Sequence, residues 1–297
     1  MPEKEVITTE FEALQMQICK ALEQEDGAAA FKIDHWKREG GGGGRSAVLE
    51  NGALIEKGGV NFSAVWGASQ AKDNDWQAQD SNRFYATGLS IVLHPQNPFA
   101  PIIHMNIRYF ELDNGSWWFG GGIDLTPHYI DMQEAYSFHD ALRKICDRHD
   151  ADYYRGFKAW ADEYFFISHR NESRGVGGIF FDRLNEEENK HLIFDFVFDL
   201  GKSFVSIYQS LIDKKRDLPF TERHRAWQLL RRGRYVEFNL VLDRGTRFGL
   251  QTNGRIESIL MSLPPMARWA YDYRPDKGTP EWETLQLLRQ KTDWINA

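Results

Sequence analysis

The stretch HMNIRYFELDNGSWWFGGGID, residues 104–124, reads as two strands joined by a turn. Apolar Met105, Ile107 and Tyr109 alternate with polar His104, Asn106 and Arg108, and strand side chains two apart share a face. Asp113-Asn114-Gly115 can form a three-residue turn with Gly115 left-handed and a bulge. That register sets Gly120 opposite Arg108, Gly122 opposite Asn106 and Asp124 opposite His104, so Asp124 joins the polar row. A two-residue Asn-Gly turn would shift the pairing by one and send Asp124 to the other face. The three-residue turn is preferred, because the glycines then stand where Asn106 and Arg108 project and leave room for a ligand or a close backbone. Glycines at a sharp bend are the plainer alternative.

Upstream, GLSIVLH and the proline loop HPQNPFAP complete a three-strand antiparallel meander. Ser90 and His94 share a face of the first strand. If that is the same sheet face, Ser90, His94, His104, Asn106, Arg108 and Asp124 converge. SAVLENGALIE reads as a hairpin about Asn51-Gly52, with GGVNFSAVWG as another strand. The run Gly40–Gly44 in REGGGGGRS, with no clear strand before it, suits a flexible linker, the commoner reading, or a loop that closes over an anion, which its flanking Arg45 and Ser46 favour. It lacks the Gly-Lys-Ser/Thr ending of a phosphate-binding loop. Residues 71–82 read as a surface loop.

Residues 9–26 read as a helix with a Thr9–Glu12 capping box, an apolar face of Phe11, Leu14, Ile18 and Leu22, and Gly27 as the stop. Ala135, Phe138, Leu142 and Ile145 mark a second helix, and Tyr153, Phe157, Trp160, Tyr164 and Ile167 a third. Residues 186–214 and 222–231 continue the helical pattern. RYVEFNLVLDRGTRFGLQT, turning near Arg244-Gly245, and RIESILMSLPP read as strands, and 281–290 as a final helix. The expectation is one α+β domain over residues 1–297 on a large, mainly antiparallel sheet.

The chain has 297 residues, 36 Lys plus Arg against 43 Asp plus Glu, and a net charge of -7, which argues against a nucleic-acid binder. Two cysteines, Cys19 and Cys146, cannot alone build a disulfide framework, a cysteine zinc site or an iron–sulfur site. The N-terminus shows no signal core, and no apolar run is long enough to cross a bilayer, so a cytoplasmic protein is expected. No dinucleotide fingerprint appears, so neither flavin nor nicotinamide is expected. Four histidines from separate elements, His94, His104, His139 and His169, have the chemistry to hold a divalent metal, although spacing does not show it. Arg45, Arg174, Arg244, Arg247 and Arg255 would suit a ligand with several carboxylates.

Several of these stretches together resemble oxygen-dependent coproporphyrinogen III oxidase: REGGGGGRS, GGVNFS, SIVLHPQNP, HMNIRYF, WWFGGGIDLTP, DEYFFISHRNESRGVGGIFFD, RRGRYVEFNLVLDRGTRFGLQT and RIESILMSLPP. The resemblance runs from about residue 10 to 295. It implies a sheet flanked by helices on both faces and a homodimer, which the apolar segments near 235–270 would form through strands. It implies oxidative decarboxylation of two propionates of coproporphyrinogen III to vinyls, giving protoporphyrinogen IX, carbon dioxide and hydrogen peroxide, in haem biosynthesis. By the same resemblance His104 is the proton donor. Ser90, Asn106, Ile107, Arg108, Asn253, Gly254 and Arg255 contact substrate, and His94, His104, His139 and His169 are metal positions. The family commonly has Gly-Gly-Arg or Gly-Ser-Arg where this chain has Asn253-Gly254-Arg255, which puts backbone contacts at 253 in doubt. With Arg108 on a propionate, Asp124 would accept a pyrrole N–H and steady positive charge on the ring. Among rivals, a cupin-like iron oxygenase wants His-x-Asp/Glu, which is absent, and a tetrapyrrole carrier would share the arginines but need no oxygen. The radical form of the reaction would need a cysteine-bound cluster.

Overall fold

The computed structural model describes residues 2–68, 83–185, 189–251 and 254–296. In order along the chain come α1 (Lys4–Asp26), β1 (Lys32–Lys37), β2 (Gly42–Glu50), β3 (Ile55–Ala68), β4 (Arg83–Pro95), β5 (Ile102–Leu112) and β6 (Trp117–Thr126). Then follow α2 (Met132–Asp147), α3 (Tyr153–Tyr164), two short strands β7 (Phe166–Ile167) and β8 (Glu172–Ser173), and β9 (Gly177–Leu184). The rest is helical: α4 (Lys190–Ile212), α5 (Glu222–Glu237), a π-helical turn (Phe238–Leu242), α6 (Arg244–Gln251), α7 (Ile256–Leu260) and α8 (Pro280–Leu288).

Seven strands form one antiparallel sheet in the order β1-β2-β3-β4-β5-β6-β9. The β5–β6 register is the expected one, with His104 opposite Asp124, Asn106 opposite Gly122 and Arg108 opposite Gly120. Gly115 closes the turn at φ 87, where a side chain would be strained. One sheet face carries Leu89, Ile91, Ile103, Met105, Ile107, Tyr109 and Ile123 into the main core, under α1, α2 and α4. The other face is partly covered by α5, the π-helical turn and α7.

Several sequence readings change. The first helix starts at Lys4, so Thr9 lies inside it and bonds the Glu5 carbonyl rather than capping; Gly27 does end it, at φ 72. A strand does precede the glycine run: β1 is almost wholly exposed and so lacks an apolar alternation. The glycines are neither linker nor free loop, because Gly42–Gly44 are already paired in β2. Ile55-Glu56 of GALIE and GGVNFSAVWG belong to one strand, β3. At the hairpin into it, buried Asp26 accepts backbone N–H bonds from Ala53, Leu54 and Ile55, which fixes the turn. GGIFFDRL supplies the edge strand β9, which interrupts the expected run of helices. The expected loop 71–82 lies outside the described residues.

The late strands are the largest correction. Residues 235–251 are helical apart from extended Asp243, and α7 replaces the strand expected in RIESILMSLPP. Val236, Phe238, Leu240 and Leu242 alternate, but Tyr235, Phe238, Asn239 and Leu242 also fit helical spacing, and burial follows the helix. Tyr235 and Phe238 are buried, while Leu240 is 42% and Val241 56% exposed. A homodimer formed through strands at 235–270 is therefore ruled out in that form.

Candidate active site

Cross-strand partners share a sheet face, so the registers define a row across the whole sheet. Asp34, Ser46, Asn61, Ser90, Asn106, Gly122 and Phe180 stand opposite one another in turn. At strand spacings of about 4.8 Å the row runs roughly 29 Å. Its β1 end is closed by α7: Ser258 bonds Ser46 at 2.8 Å, and the Ser258 carbonyl accepts from Asn61. Arg255 at the head of α7 pairs with Asp34 and donates to Ser258 at 2.9 Å. At the β9 end Phe180 stacks on Tyr164 at 4.1 Å, with the Arg244 cation 5.8 Å over the Tyr164 ring. Ser90 and Asn106 occupy the middle and are half-buried.

Flanking this row on β5 are two ionic clusters. On one side the His104 Nδ1 lies 2.7 Å from Asp124 Oδ1. Arg174 Nη2 lies 2.6 Å from both Asp124 oxygens, and the Asp124 and Arg174 side chains are each only 2% exposed. The Arg174 guanidinium is enclosed by the rings of Phe165, Tyr235 and Phe238 at 4.4, 4.9 and 4.5 Å. Such a cage offers cation–π attraction in place of water. Burial alone would raise the Asp124 pKa, but the Arg174 charge and the His104 hydrogen bond hold it below its usual value. An ionised carboxylate only accepts, so His104 carries its proton on Nδ1 and leaves Nε2 free to exchange a proton with a ligand. The His104 side chain is 24% exposed.

On the other side of the row, Arg108 bonds Asp182 at 2.8 Å and Asn106 at 3.1 Å. This pair is open, with side chains 38% and 34% exposed. Gly120 makes room for it: a Cβ there would stand 2.7 Å from Asp182 Oδ1 and 2.8 Å from Arg108 Nε. The glycine therefore clears space for an ion pair rather than directly for a ligand.

The remaining expected site residues divide. Ile107 is fully buried in the main core, so its side chain faces away from the polar row; alternation on β5 demands this. Gly254 donates its N–H to the Gly249 carbonyl, and Asn253 lies outside the described residues. Of the arginine set, Arg174 is committed to Asp124 rather than to an outside carboxylate, and Arg45 is tied to Gln15 and Glu12 of α1. Asp124 itself is engaged by Arg174 and His104, so its oxygens are not open to a pyrrole N–H as expected.

The four histidines do not come together. His94 is fully buried, with Nε2 2.9 Å from the Ser262 carbonyl and its ring edge-on to Tyr235. His139 sits on α2, whose apolar face joins the main core, and both its nitrogens are taken, by Tyr154 Oη and the Val176 carbonyl. His169 is a surface residue bonded to Glu237. No group of three metal-ligating side chains occurs among the described residues. The four-histidine set does not fit one ion within this chain.

Asn61, Asp34 and Asp182 belong to the site and were not singled out from sequence, whereas Ser46 stood out only as a flank of the glycine run. A two-residue Asn51-Gly52 turn would set Ser46 opposite Lys57, but the connection spans residues 51–56, so Glu50 meets Lys57 and Ser46 meets Asn61, a pairing that the Asn-Gly hairpin does not give. For Asp182 the signal was its spacing of two from Phe180 in IFFD.

The coproporphyrinogen III oxidase family model matches residues 6–294. The chain belongs to that family. It is 49% identical over 297 residues to the oxygen-dependent coproporphyrinogen-III oxidase, chloroplastic, of Nicotiana tabacum, covering 95% of this chain and 75% of the relative. It is 48% identical over 303 residues to coproporphyrinogen-III oxidase 1, chloroplastic, of Arabidopsis thaliana, covering 97% and 78%. A Glycine max enzyme with the same printed name as the tobacco one is 49% identical, over 95% and 77%. Within this coproporphyrinogen III oxidase chain, the polar row and its two ionic clusters are the features with the chemistry of a reaction centre.

Proposed function

We infer that this chain is an oxygen-dependent coproporphyrinogen III oxidase. Oxidative decarboxylation of each propionate consumes oxygen and one net proton, and releases carbon dioxide and hydrogen peroxide as a vinyl forms. The observation that carries the reading is the placement of a proton-exchanging His104 and a carboxylate-binding Arg108 on one strand face, four residues apart, with Asn106 between them. A reduced tetrapyrrole lies along the row. Arg108 exchanges Asp182 for a propionate, and Arg255 at the α7 end is placed to serve another. Ser90 and Asn106 bond its polar edge. His104 Nε2 takes up a proton and hands it on, and the Asp124 carboxylate, held in place by Arg174, stabilises the positive charge the imidazole carries meanwhile. No flavin or nicotinamide enters this scheme, because the electron-rich pyrrole reduces oxygen itself. No step is routed through a metal, since the histidines do not assemble.

The test is purified protein with coproporphyrinogen III in air, with and without a chelator. Protoporphyrinogen IX and hydrogen peroxide are expected in both arms. Equal product under strict anaerobiosis would refute the oxygen-dependent reading, and binding without carbon dioxide release would favour a carrier.

The homodimer is kept as a proposal in altered form. Leu240, Val241, Phe248, Leu250 and Ile256 are each at least 40% exposed and give the π-helical turn, α6 and the start of α7 apolar surface suited to a second copy. A monomer by sedimentation at micromolar concentration would end it. No described helix is long and apolar enough to cross a membrane. Two buried free thiols, Cys19 and Cys146, suit a reducing compartment. The cytosol and a plastid stroma both provide one, so the cytosolic placement is a proposal for cell fractionation to decide.

A further inference from the structure

α5 has two polar faces. One turns Arg232 and Tyr235 toward the sheet, where Arg232 pairs with Glu56 and Tyr235 abuts His94 and Arg174. The other borders a cavity of about 540 Å³, a size that holds small ligands. Five arginines line it, Arg170, Arg231, Arg234, Arg274 and Arg289, and among the lining residues only Glu172 and Asp272 are acidic. This is a basic cavity in a chain of net charge -7.

The arginines are not all neutralised from within. Glu237 takes Arg170 and Arg234, and Asp272 takes Arg274. Arg289 has no ion pair among the described residues. Arg231 carries most of the argument. It is 3% exposed, and its Nη1 bonds Glu172 at 2.6 Å, yet its Nε and Nη2 have no hydrogen-bond partner. Its cation lies 5.7 Å over the Trp227 ring, another wall of the cavity. Buried guanidinium donors left without acceptors are costly; Nε and Nη2 are closed to solvent in this structure, so the Arg231 side chain, a wall of the cavity, would turn them toward an oxyanion bound there.

We propose that this cavity is an anion site, separate from the sheet face, that binds a small molecule bearing phosphate or several carboxylates through Arg231 and Arg289. The planar guanidinium fork suits either oxyanion, and Trp227 and Trp282 offer flat surfaces for the rest of the ligand.

Isothermal titration at low ionic strength tests it, with inorganic phosphate in one arm and citrate in the other. One site per chain is expected in at least one arm, and the arm that binds identifies the anion. Arg289→Gln, an exposed change that leaves the fold intact, should weaken binding about tenfold, and Arg231→Gln more. Arg108→Ala should leave it unchanged. No binding in either arm, or binding lost in Arg108→Ala and kept in Arg289→Gln, overturns the proposal. Because the readout is binding without turnover, it is independent of whether the sheet-face reading holds.

Discussion

The two ionic clusters on β5 are built oppositely. His104–Asp124–Arg174 is dry, with two side chains 2% exposed and a cation caged by three rings. Asn106–Arg108–Asp182 is wet, with its ion pair more than a third exposed. A buried pair is worth little if both partners could be replaced, but it is costly to break from one side. An exposed pair contributes little and exchanges partners readily. The first cluster is therefore suited to hold one geometry while a proton moves, and the second to give up Asp182 for an incoming propionate.

Breaking the dry cluster should have the largest effect. Arg174→Met leaves Asp124 charged in the interior with only the His104 N–H as partner, and should cost about 3–5 kcal/mol in urea unfolding. A loss under 1 kcal/mol would mean that the pair is not buried as described. In the wet cluster, Arg108→Ala should leave folding nearly untouched and raise KM about tenfold or more, from a lost charge-assisted pair of about 1.5–3 kcal/mol. An unchanged KM would remove Arg108 from substrate binding.

Acid separates the regions further. The lowered pKa of Asp124 means its stabilisation is present above the unfolded carboxylate range and disappears only as pH falls through its depressed folded value. Earlier losses come from the buried histidines. Burial lowers His139 to about 4 and His128 to about 3, so between these values and 6.5 the unfolded chain binds protons that the folded chain refuses. Stability should fall as pH drops from 6.5 toward 4, by up to about 1.4 kcal/mol per pH unit for each histidine. A urea midpoint that stays flat from pH 7 to 4.5 would contradict this. The smallest effect is expected for Asp182→Asn, which removes the resting partner of Arg108. It should lower KM a few-fold, on the scale of about 0.5–1 kcal/mol for an exposed pair, and a higher KM would make Asp182 a substrate contact.

The centre of the sheet was legible because β5 alternates fully buried and half-buried positions, although β6 is buried on both faces from Phe119 onward. The β5 alternation and the Asp113-Asn114-Gly115 turn fix the register, and with it His104 beside Asp124. The edges were not legible. β1 is exposed and carries no alternation, and β9 is separated from its neighbour β6 by two helices. Residues 235–251 fit both periods, and only packing against Arg174 and Phe165 selects the helix. Arg174 was visible as an arginine near glycines, but its partner was not, because a buried ion pair between β6 and the segment after β8 has no local signal. The same holds for the histidines, whose types suggested a metal while their elements lie on different sides of the sheet.

The division of labour between the clusters rests on Asp124. Asp124→Asn keeps the shape but removes the charge that fixes the His104 proton on Nδ1 and offsets Arg174. Steady-state kinetics in air decide it. The expected result is kcat lowered roughly 100-fold or more with KM changed little, as for a group acting on proton transfer. Near wild-type kcat, or a loss confined to KM as in Arg108→Ala, would contradict the assignment of His104–Asp124–Arg174 as the proton-handling centre.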